Sequence, residues 1–289
     1  MPLACAGALE VRVDGAPQAW QVVTFASASS SVAAAGAAVS LGYNARAYVV
    51  SACPAGGGNF SAGLFATRLP MLGHAWSFDV DLSTAGCGCN AAFYAVAMPG
   101  VAPDGSPAPG SSGDFYCDAN KVSGVWCTEM DLMEANTAAF AATPHACDAP
   151  DAAGFVPKCD GGGCSLNTKT NATLLGPGAG FLVDTTRPFS VSTSFPLDAG
   201  GALAAVDTLV SQGGASFHLL HTPGGCGAHW TDALTPGLAG GMVPTLSLWG
   251  DTASGNDMTW LDSPPCAAAQ GCSGGGAVAH FSNFSVNKL

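Results

Sequence analysis

The sequence has few charged side chains, and very few of them are basic. Only 8 of its 289 residues are Lys or Arg, against 20 Asp and Glu, which gives a formal net charge of −12. It contains no basic run that could neutralise phosphates, so a nucleic-acid partner is not expected. It also has no apolar run long enough to span a bilayer, so a membrane partner is not expected either. This composition fits a neutral partner better.

The sequence is also poor in segments typical of long helices. Its 39 Gly and 19 Pro residues favour frequent turns. Residues 77–83, 189–195 and 280–286 alternate apolar and polar side chains, which predicts strands buried on one face. Residues 91–98 and 242–249 are more continuously apolar and predict strands buried on both faces. With Gly/Pro/Ser-rich segments between these strands, the pattern predicts an all-β sandwich with long loops.

Cysteine is plentiful. Twelve cysteines form an even set, which predicts a disulfide framework and an oxidising compartment. Three Asn-X-Ser/Thr sequons, at Asn59, Asn171 and Asn283, agree with export from the cell. The cysteines and sequons therefore predict a secreted protein. Because the first residues lack the basic and apolar segments of a signal peptide, we expect a mature or truncated N-terminus.

One segment, TEMDLMEAN at residues 128–136, places three acids within six positions: Glu129, Asp131 and Glu134. Intrinsic propensity favours a helix here, but a helix would scatter the three carboxyl groups. A regular strand would place Glu129 and Asp131 on one face and Glu134 on the other. A β-bulge between Asp131 and Glu134 would return Glu134 to the side of the other two. The preceding GVWCT favours a strand, so we interpret the segment as a bulged strand.

Three carboxyl groups held close together cannot all ionise cheaply, so their pKa values separate. One can stay ionised as a nucleophile while another is held protonated as an acid. Retaining glycoside hydrolysis needs this division, with two carboxyl groups about 5–5.5 Å apart. A solvated acidic turn and a Ca²⁺ cage are the other two readings, although the spacing of a calcium loop is not present. We expect no metal and no cofactor.

A longer string around these acids resembles a known family. TEMDLMEANTAAFAATPHAC, residues 128–147, is similar to the catalytic signature of glycoside hydrolase family 7, the cellulases and cellobiohydrolases. Further segments resemble the family in the same order: 78–98, 176–195, 240–251, 258–263 and 278–286. The resemblance runs from about residue 20 to 287. It implies one catalytic domain over residues 1–289, folded as a jelly-roll β-sandwich of two antiparallel sheets.

The resemblance implies a role for each acid. Glu129 is then the nucleophile, Asp131 is its hydrogen-bonding partner, and Glu134 is the general acid and base. His145 is expected near the acid/base, and Asp118 is expected to support Asp131.

It also implies a set of cleft residues that bind the substrate: Asn90, Tyr94, Trp249, Trp260, Arg46 and Asn120. Asn90 and Tyr94 are expected beside the nucleophile. Trp249 and Trp260 are expected to stack on sugar rings on either side of the cleavage point, because flat Trp faces suit the apolar faces of glucose. Arg46 is expected at the glycone end. The remaining tryptophans, Trp20, Trp76 and Trp230, are expected in the core.

The same analogy suggests disulfide partners. It pairs the cysteines as Cys87–Cys272, Cys117–Cys127, Cys147–Cys159 and Cys164–Cys226. The four cysteines without a family counterpart are assigned as Cys89–Cys266 and Cys5–Cys53.

The chain departs from the family in ways that favour an open cleft. Its loops are short, CDGGGCS at residues 159–165 lacks two expected acids, and Gln270 stands where the family has an Arg. Met133 replaces a typical Trp. We expect a secreted, monomeric, endo-acting β-1,4-glucanase that binds cellulose or cello-oligosaccharides. The alternatives are a cellobiohydrolase, a β-1,3 or mixed-linkage glucanase, and a non-catalytic carbohydrate-binding relative.

Overall fold

The computed structural model describes residues 1–54, 57–171, 173–228, 230–250, 258–267, 271–272 and 276–289. Strands dominate this part of the chain. They are β1 (Pro2–Val13), β2 (Ala16–Phe25), β3 (Val32–Ala35), β4 (Ala38–Gly42), β5 (Ala45–Val50), β6 (Gly58–Asn59), β7 (His74–Asp81), β8 (Cys89–Val96), β9 (Glu129–Ala135), β10 (Phe140–His145), β11 (Leu166–Asn167), β12 (Leu175–Gly176), β13 (Val183–Asp184), β14 (Phe189–Ser194), β15 (Val206–Gln212), β16 (Ala215–His221), β17 (Val243–Gly250) and β18 (Val278–Lys288).

Helices are short by comparison. The α-helices are α1 (Pro223–Cys226), α2 (Trp230–Ala239) and α3 (Thr259–Asp262), and 3-10 turns occupy Ala26–Ser31, Ala62–Phe65 and Thr168–Thr170. No helix of the described residues combines the length and apolar character needed to cross a membrane.

Thirteen of the described strands follow one continuous hydrogen-bonded path that folds into two layers, while β3, β4 and β6 pair off this path and β12 pairs with β13 in a separate small sheet. The path runs β11-β10-β9-β8-β17-β5-β2-β1-β18-β7-β14-β15-β16. Most neighbours pair antiparallel, but β1 runs parallel to β18 where the path turns from one layer into the other. This is the all-β jelly-roll sandwich predicted from the sequence, with its two layers joined through the long β1–β2 hairpin.

The core lies between the layers and is formed by the apolar faces of the strands. Phe93 of β8 meets Phe78 of β7 with ring centroids 4.6 Å apart and an edge-to-face angle of 75°. Phe281 of β18 joins them, 6.3 Å from Phe93. Edge-to-face pairs of this kind add to the free energy gained by burying the rings. The aromatic contact therefore fixes the distance between the sheet that carries the acids and the sheet behind it.

The strand patterns read from the sequence are confirmed. The three alternating segments lie in β7, β14 and β18, where buried and more exposed residues alternate. The two continuously apolar segments lie in β8 and β17, and every residue of β8 is buried. Trp20, Trp76 and Trp230 are buried in the core as expected. The second face of β8 packs on a smaller apolar cluster that includes Tyr48, Phe65 and Tyr116.

All twelve cysteines are paired, and four of the predicted disulfides are confirmed: Cys5–Cys53, Cys117–Cys127, Cys147–Cys159 and Cys164–Cys226. The other two assignments are wrong, because Cys87 pairs with Cys266 and Cys89 pairs with Cys272.

The exchange follows from where the two neighbouring cysteines point. Cys89 begins β8 and is fully buried, while Cys87 lies in the turn before it. That turn packs on the end of α3, since the backbone N–H of Gly88 donates to Asp262 at 2.8 Å. Cys266 follows directly after this helix, so it meets Cys87.

Candidate active site

The three acids of β9 share one face because the strand is bulged. They pair with alternate residues of β8: Glu129 with Val96, Asp131 with Tyr94, and Glu134 with Ala92. The register shifts between Phe93 and Tyr94, so Leu132 is the extra residue of a bulge. Alternate residues of a strand point to the same side, and the acids opposite them therefore do too. The bulged strand predicted from the sequence is confirmed.

The opposite face of β9 anchors the strand in the core. Met130, Leu132 and Met133 are each 0% exposed and belong to the main core cluster. Met133, which stands where the family has a Trp, faces away from the acids. The apolar residues between the acids thus fix the strand so that the carboxyl groups are held on the other side.

Asp131 and His145 form a buried ion pair at the centre of the site. Nε2 of His145 lies 2.9 Å from Oδ2 of Asp131, and Nδ1 lies 2.8 Å from the carbonyl oxygen of Asp160. Burial works to lower the pKa of His145, but the hydrogen bond and charge of Asp131 and the charge of Glu129 outweigh it and raise the pKa to about 10. Both ring nitrogens therefore carry protons and donate, one to a carboxylate and one to a carbonyl.

Glu129 is the most enclosed of the three acids. It is 6% exposed, and its Oε2 accepts the backbone N–H of Ala119 at 2.9 Å. Burial and the negative charge of Asp131 raise the pKa of Glu129. The backbone donor and the nearby His145 cation oppose that shift and favour the ionised form.

Glu134 is half-buried, and one side-chain donor orients it. Nδ2 of Asn90 donates to its Oε1 at 2.8 Å. Burial and the charge of Asp131 raise the pKa of Glu134 to about 8, while the hydrogen bond from Asn90 and the charge of His145 restrain the rise. The carboxyl group of Glu134 is therefore suited to hold a proton near neutral pH.

Two contacts differ from those implied by the resemblance. Asp131 was expected to hydrogen-bond Glu129, but its hydrogen bond goes to His145. His145 lies close enough to Glu134 for its charge to act on the pKa of that acid, and its hydrogen bond is to Asp131. Asn90 was expected beside Glu129, but it contacts Glu134. The antiparallel pairing of β8 and β9 is the reason for the last difference, because it places the end of β9 that carries Glu134, and not the end that carries Glu129, beside the start of β8.

Asp118 also differs from the expectation. Its Oδ1 accepts the N–H of Val122 at 2.9 Å, closing a turn in its own loop. Its charge raises the pKa of Glu129, and burial raises its own pKa. Asp118 therefore supports the loop whose backbone holds Glu129, and not Asp131 as predicted.

The acids open into a cleft of about 890 Å³. Its lining includes five of the predicted substrate-binding residues: Tyr94, Trp249, Trp260, Arg46 and Asn120. Asn90 lies beneath this lining, 0% exposed. Trp260 on α3 is 42% exposed, so its ring is available to a ligand.

A row of paired residues crosses the floor of the cleft. From β9 to β5 the row is Glu134, Ala92, Ser247 and Arg46. Neighbouring strands are about 4.8 Å apart, so the two charged ends lie roughly 14 Å from each other at the backbone. The side chains between them, Ala92 and Ser247, are small and leave open space above the cleft floor.

At the far end of this row, Arg46 is held by aromatic rings and one carboxylate. Nη2 of Arg46 lies 3.0 Å from Oδ2 of Asp114, and its guanidinium lies 3.9 Å from the ring centroid of Tyr116. The hydroxyl of Tyr48 donates to the same Asp114 oxygen at 2.5 Å. Asp114 is 0% exposed, so this is a buried ion pair.

Sequence reasoning missed Asp114, Tyr116 and Ser247. The buried position of Ser247 follows from the prediction that residues 242–249 form a strand buried on both faces. Asp114 lies in a Gly/Pro/Ser-rich segment that was interpreted as a surface loop, and its partner Arg46 is 68 positions away. No local pattern links the two.

The glycine run at residues 161–163 closes over His145. Gly163 has φ +59°, and a Cβ there would lie 2.8 Å from Nδ1 of His145 and 2.6 Å from Thr143. Gly161 and Gly162 line the cleft. The glycines therefore allow the loop to approach the site closely, which acidic side chains would prevent. Gln270, predicted to mark a lost contact on the leaving-group side, lies outside the described residues.

The site could be read as a metal centre, but its donors are occupied. Carboxylate oxygens of Glu129 and Asp131 and a ring nitrogen of His145 lie within 4.8 Å of one another. A histidine ligand must offer a free lone pair, yet both ring nitrogens of His145 face acceptors. A second group, Cys87, Asp262 and Cys266, includes two disulfide-bonded sulfurs. The donor chemistry of the acidic site suits proton transfer better than metal binding.

Comparison with known sequences gives one family. The sequence profile of glycosyl hydrolase family 7 matches residues 119–223, the part that carries the three acids. Endoglucanase 1 of Pyricularia oryzae is 33% identical over 254 residues, which cover 70% of this chain and 59% of that protein. Endo-beta-1,4-glucanase celB of Emericella nidulans is 32% identical, covering 70% and 60%. The chain thus spans less than two thirds of the length of these relatives.

Solved structures give the same fold. An endoglucanase I in complex with cellobiose superimposes with a TM-score of 0.79 at 20% identity, covering 98% of this chain and 97% of that one. A GH7 family cellobiohydrolase from Daphnia pulex gives 0.74 at 19% identity, covering 100% and 97%. The segment that matches glycosyl hydrolase family 7 is the one that contains the bulged acidic strand, and the chain is similar to members of that family in both sequence and fold.

Proposed function

We propose that this protein is an endo-acting β-1,4-glucanase that hydrolyses its substrate with retention of configuration. The observation that carries the proposal is the bulge in β9. It brings Glu129, Asp131 and Glu134 to one face, at the floor of a cleft large enough for a sugar chain. The names of the relatives, endoglucanase and endo-β-1,4-glucanase, support the same activity.

In the first step, Glu129 attacks the anomeric carbon while Glu134 gives its proton to the leaving oxygen. The glycosidic bond breaks, and a covalent glycosyl–Glu129 ester forms. Burial and the charge of Asp131 raise the pKa of Glu129, and the His145 cation and the backbone N–H of Ala119 counteract this rise, which helps the ionised form that the attack requires. A pKa of about 8 keeps the proton on Glu134 until the leaving group needs it.

In the second step, Glu134 acts as a base. It removes a proton from water, the water oxygen attacks the anomeric carbon, and Glu129 departs as a carboxylate. Asn90 holds Glu134 in place through both steps, because its N–H bond to Oε1 leaves the other carboxyl oxygen free to exchange the proton. Asp131 stays paired with His145, so its negative charge disfavours ionisation of Glu134 until that proton has been transferred.

The lining supports a neutral β-glucan as the substrate. Trp249 and Trp260 offer flat apolar faces, and the floor between Glu134 and Arg46 carries only small side chains. An endoglucanase I of the same fold is recorded with cellobiose. Cellulose and soluble cello-oligosaccharides are therefore the proposed substrates.

Endo action is proposed over release of cellobiose from chain ends. Side chains at the rim are exposed to solvent: Val122 is 68% exposed and Trp260 is 42% exposed. Bare glycine backbone borders the cleft at Gly161 and Gly162. A rim of this kind admits a chain along its length. We further propose one catalytic domain, acting as a secreted monomer, and the six disulfides support an oxidising compartment.

A mechanism-based label tests activity, stereochemical course and nucleophile together. A 2-deoxy-2-fluoro cellobioside with a good leaving group is incubated with the protein, and the digest is analysed by mass spectrometry. We expect one added sugar on the peptide that contains Glu129, with loss of activity in proportion. Labelling of another acid would contradict the proposed role of Glu129. Hydrolysis of soluble cellulose without any label would contradict the covalent step.

A further inference from the structure

Asp114 lies outside the cleft but holds one of the residues that line it. Its side chain is 0% exposed and does not border the cleft, whereas the side chain of Arg46 is 23% exposed and does. The two are joined by a hydrogen-bonded ion pair at 3.0 Å. Asp114 therefore cannot touch a sugar, but it can determine where Arg46 lies.

The geometry around Asp114 fixes its own position. One oxygen, Oδ2, accepts from both Arg46 and the hydroxyl of Tyr48, which is itself fully buried. The other, Oδ1, lies 3.4 Å from the backbone N–H of Tyr116. Three residues after Asp114, Cys117 of the same loop forms a disulfide with Cys127, which lies just before the start of β9. The carboxylate is thus held by both β5 and the loop.

Arg46 is held on two sides and keeps donor capacity. Its guanidinium stacks on Tyr116 at 3.9 Å and bonds Asp114 through Nη2 only. Its Nε is buried, so the donors open to a ligand are the N–H groups of the two Nη atoms that Asp114 does not use. Guanidinium groups present five N–H donors in a fixed plane, so fixing the plane also fixes the direction of the free ones. A preorganised arginine loses less conformational freedom when a ligand binds.

We infer that Asp114 is a positioning residue for substrate binding, which holds Arg46 so that its free N–H groups meet the hydroxyls of a sugar unit remote from the cleaved bond. The inference rests on the proposed glucanase function. Arg46 lies three strands from Glu134, which is roughly 14 Å at the backbone and farther than one sugar ring reaches. The contribution of Asp114 therefore depends on the length of the substrate chain.

The test compares substrates of increasing length. Chromogenic cello-oligosaccharides are hydrolysed by wild type and by Asp114→Asn, and the ratio of kcat/KM for the long over the short substrate is measured. The neutral amide cannot hold the guanidinium charge, so we expect this ratio to fall about tenfold, chiefly through KM. An unchanged ratio would overturn the inference.

A double-mutant cycle separates positioning from general stability. Asp114→Asn is repeated in an Arg46→Gln background, with binding of a long cello-oligosaccharide measured by calorimetry in each variant. If Asp114 acts through Arg46, the second substitution adds little to the first, because the two residues work as one unit. Equal penalties in both backgrounds would show that Asp114 does not act through Arg46 and would overturn the inference.

Two further variants serve as controls. Asp184→Asn removes another buried carboxylate that pairs with an arginine, Arg187 at 3.2 Å, but lies outside the cleft lining. It should leave the long-to-short ratio at the wild-type value, and an equal fall would overturn the inference. If Asp114→Asn does not fold, Tyr48→Phe replaces it, because it removes one donor to Asp114 and should lower the same ratio by a smaller factor. Wild-type protein that hydrolyses and binds no β-glucan would instead refute the proposed function.

Discussion

The two ends of the cleft floor treat buried charge differently. At the β5 end, Arg46 and Asp114 form a pair of opposite charges at 3.0 Å, and each also has an aromatic neighbour. At the β9 end, three acids share one cation, His145. The first arrangement is neutral, whereas the second carries more negative charge than its partners can balance.

This difference separates a binding end from a reactive end. In the Arg46–Asp114 pair the two opposite charges stabilise each other, so both groups stay ionised and the pair holds the position of the Arg46 side chain. At the reactive end, burial together with the negative charge of Asp131 raises the pKa of Glu129 and of Glu134, and Glu134 thereby keeps a proton available for transfer. The following substitutions act on the reactive end or on the substrate platforms, and they test the comparison in order of expected effect.

Glu129→Gln should have the largest effect on activity. The amide keeps the shape of the side chain and an acceptor for the N–H of Ala119, but it cannot form the glycosyl ester. Loss of a nucleophile costs about 10⁴- to 10⁶-fold in kcat. The fold should be retained, because the substitution removes a buried charge without creating a cavity. Steady-state kinetics on soluble cellulose and a thermal melt check both parts, and wild-type turnover would refute the assignment.

His145→Ala should destabilise the protein, because it leaves Asp131 buried without its cation. Both side chains are more than 90% buried, and breaking such a pair costs about 3–5 kcal/mol of unfolding free energy. Urea unfolding measures the loss.

His218→Ala is the matched control for this substitution. His218 also pairs with an aspartate, Asp207 at 2.9 Å, but its side chain is 55% exposed. An exposed pair contributes about 0–1 kcal/mol. Equal losses in the two variants would show that the buried pair has no special role.

The pH dependence of activity should show the proton on Glu134. The general acid must be protonated, so kcat/KM should fall as the pH rises through about 8, by about tenfold per unit beyond it. A rate that continued to rise in alkaline solution would contradict the role of Glu134.

Stability offers an independent measure of the same titration. Because burial raises the folded-state pKa of Glu134 from 4.5 to about 8, its protonated form is the one that the fold favours. Wild type should therefore lose stability relative to Glu134→Gln as the pH rises between those two values. A difference in unfolding free energy that does not change with pH would mean that Glu134 ionises as easily in the folded as in the unfolded chain.

Trp260→Ala should have the smallest effect. The ring is 42% exposed, so its loss removes a stacking surface without opening the core. A stacking contact of this kind is worth about 0.5–1.5 kcal/mol, which corresponds to roughly a 2- to 12-fold rise in KM. Trp260→Phe should lie between the alanine variant and wild type. An unchanged KM in both variants would exclude Trp260 from substrate binding.

Much of the reactive strand could be predicted from local sequence. The spacing of Glu129, Asp131 and Glu134, with apolar residues between them, required a bulge if all three were to act together, and the structure has that bulge. The alternating patterns of β7, β14 and β18 were equally readable, because burial on one face of a strand leaves a period of two in the chain.

The partners of these residues could not be predicted in the same way. Asn90 was expected beside Glu129 but contacts Glu134, because the antiparallel pairing of β8 and β9 places Glu134 at the end of β8 where Asn90 lies. The partners of Cys87 and Cys89 were exchanged, since two cysteines so close in sequence differ only in the direction that the β8 turn gives them.

The sequence by itself determined the all-β class, the disulfide framework and the bulged strand with its three acids, because each leaves a periodic or compositional trace in consecutive residues. Only the tertiary structure decided that Asp131 pairs with His145 and that Asp114, far from Arg46 in the chain, holds that arginine at the other end of the cleft. Such contacts depend on how strands and loops are brought together in space, and local periodicity carries no information about which distant segment supplies the partner.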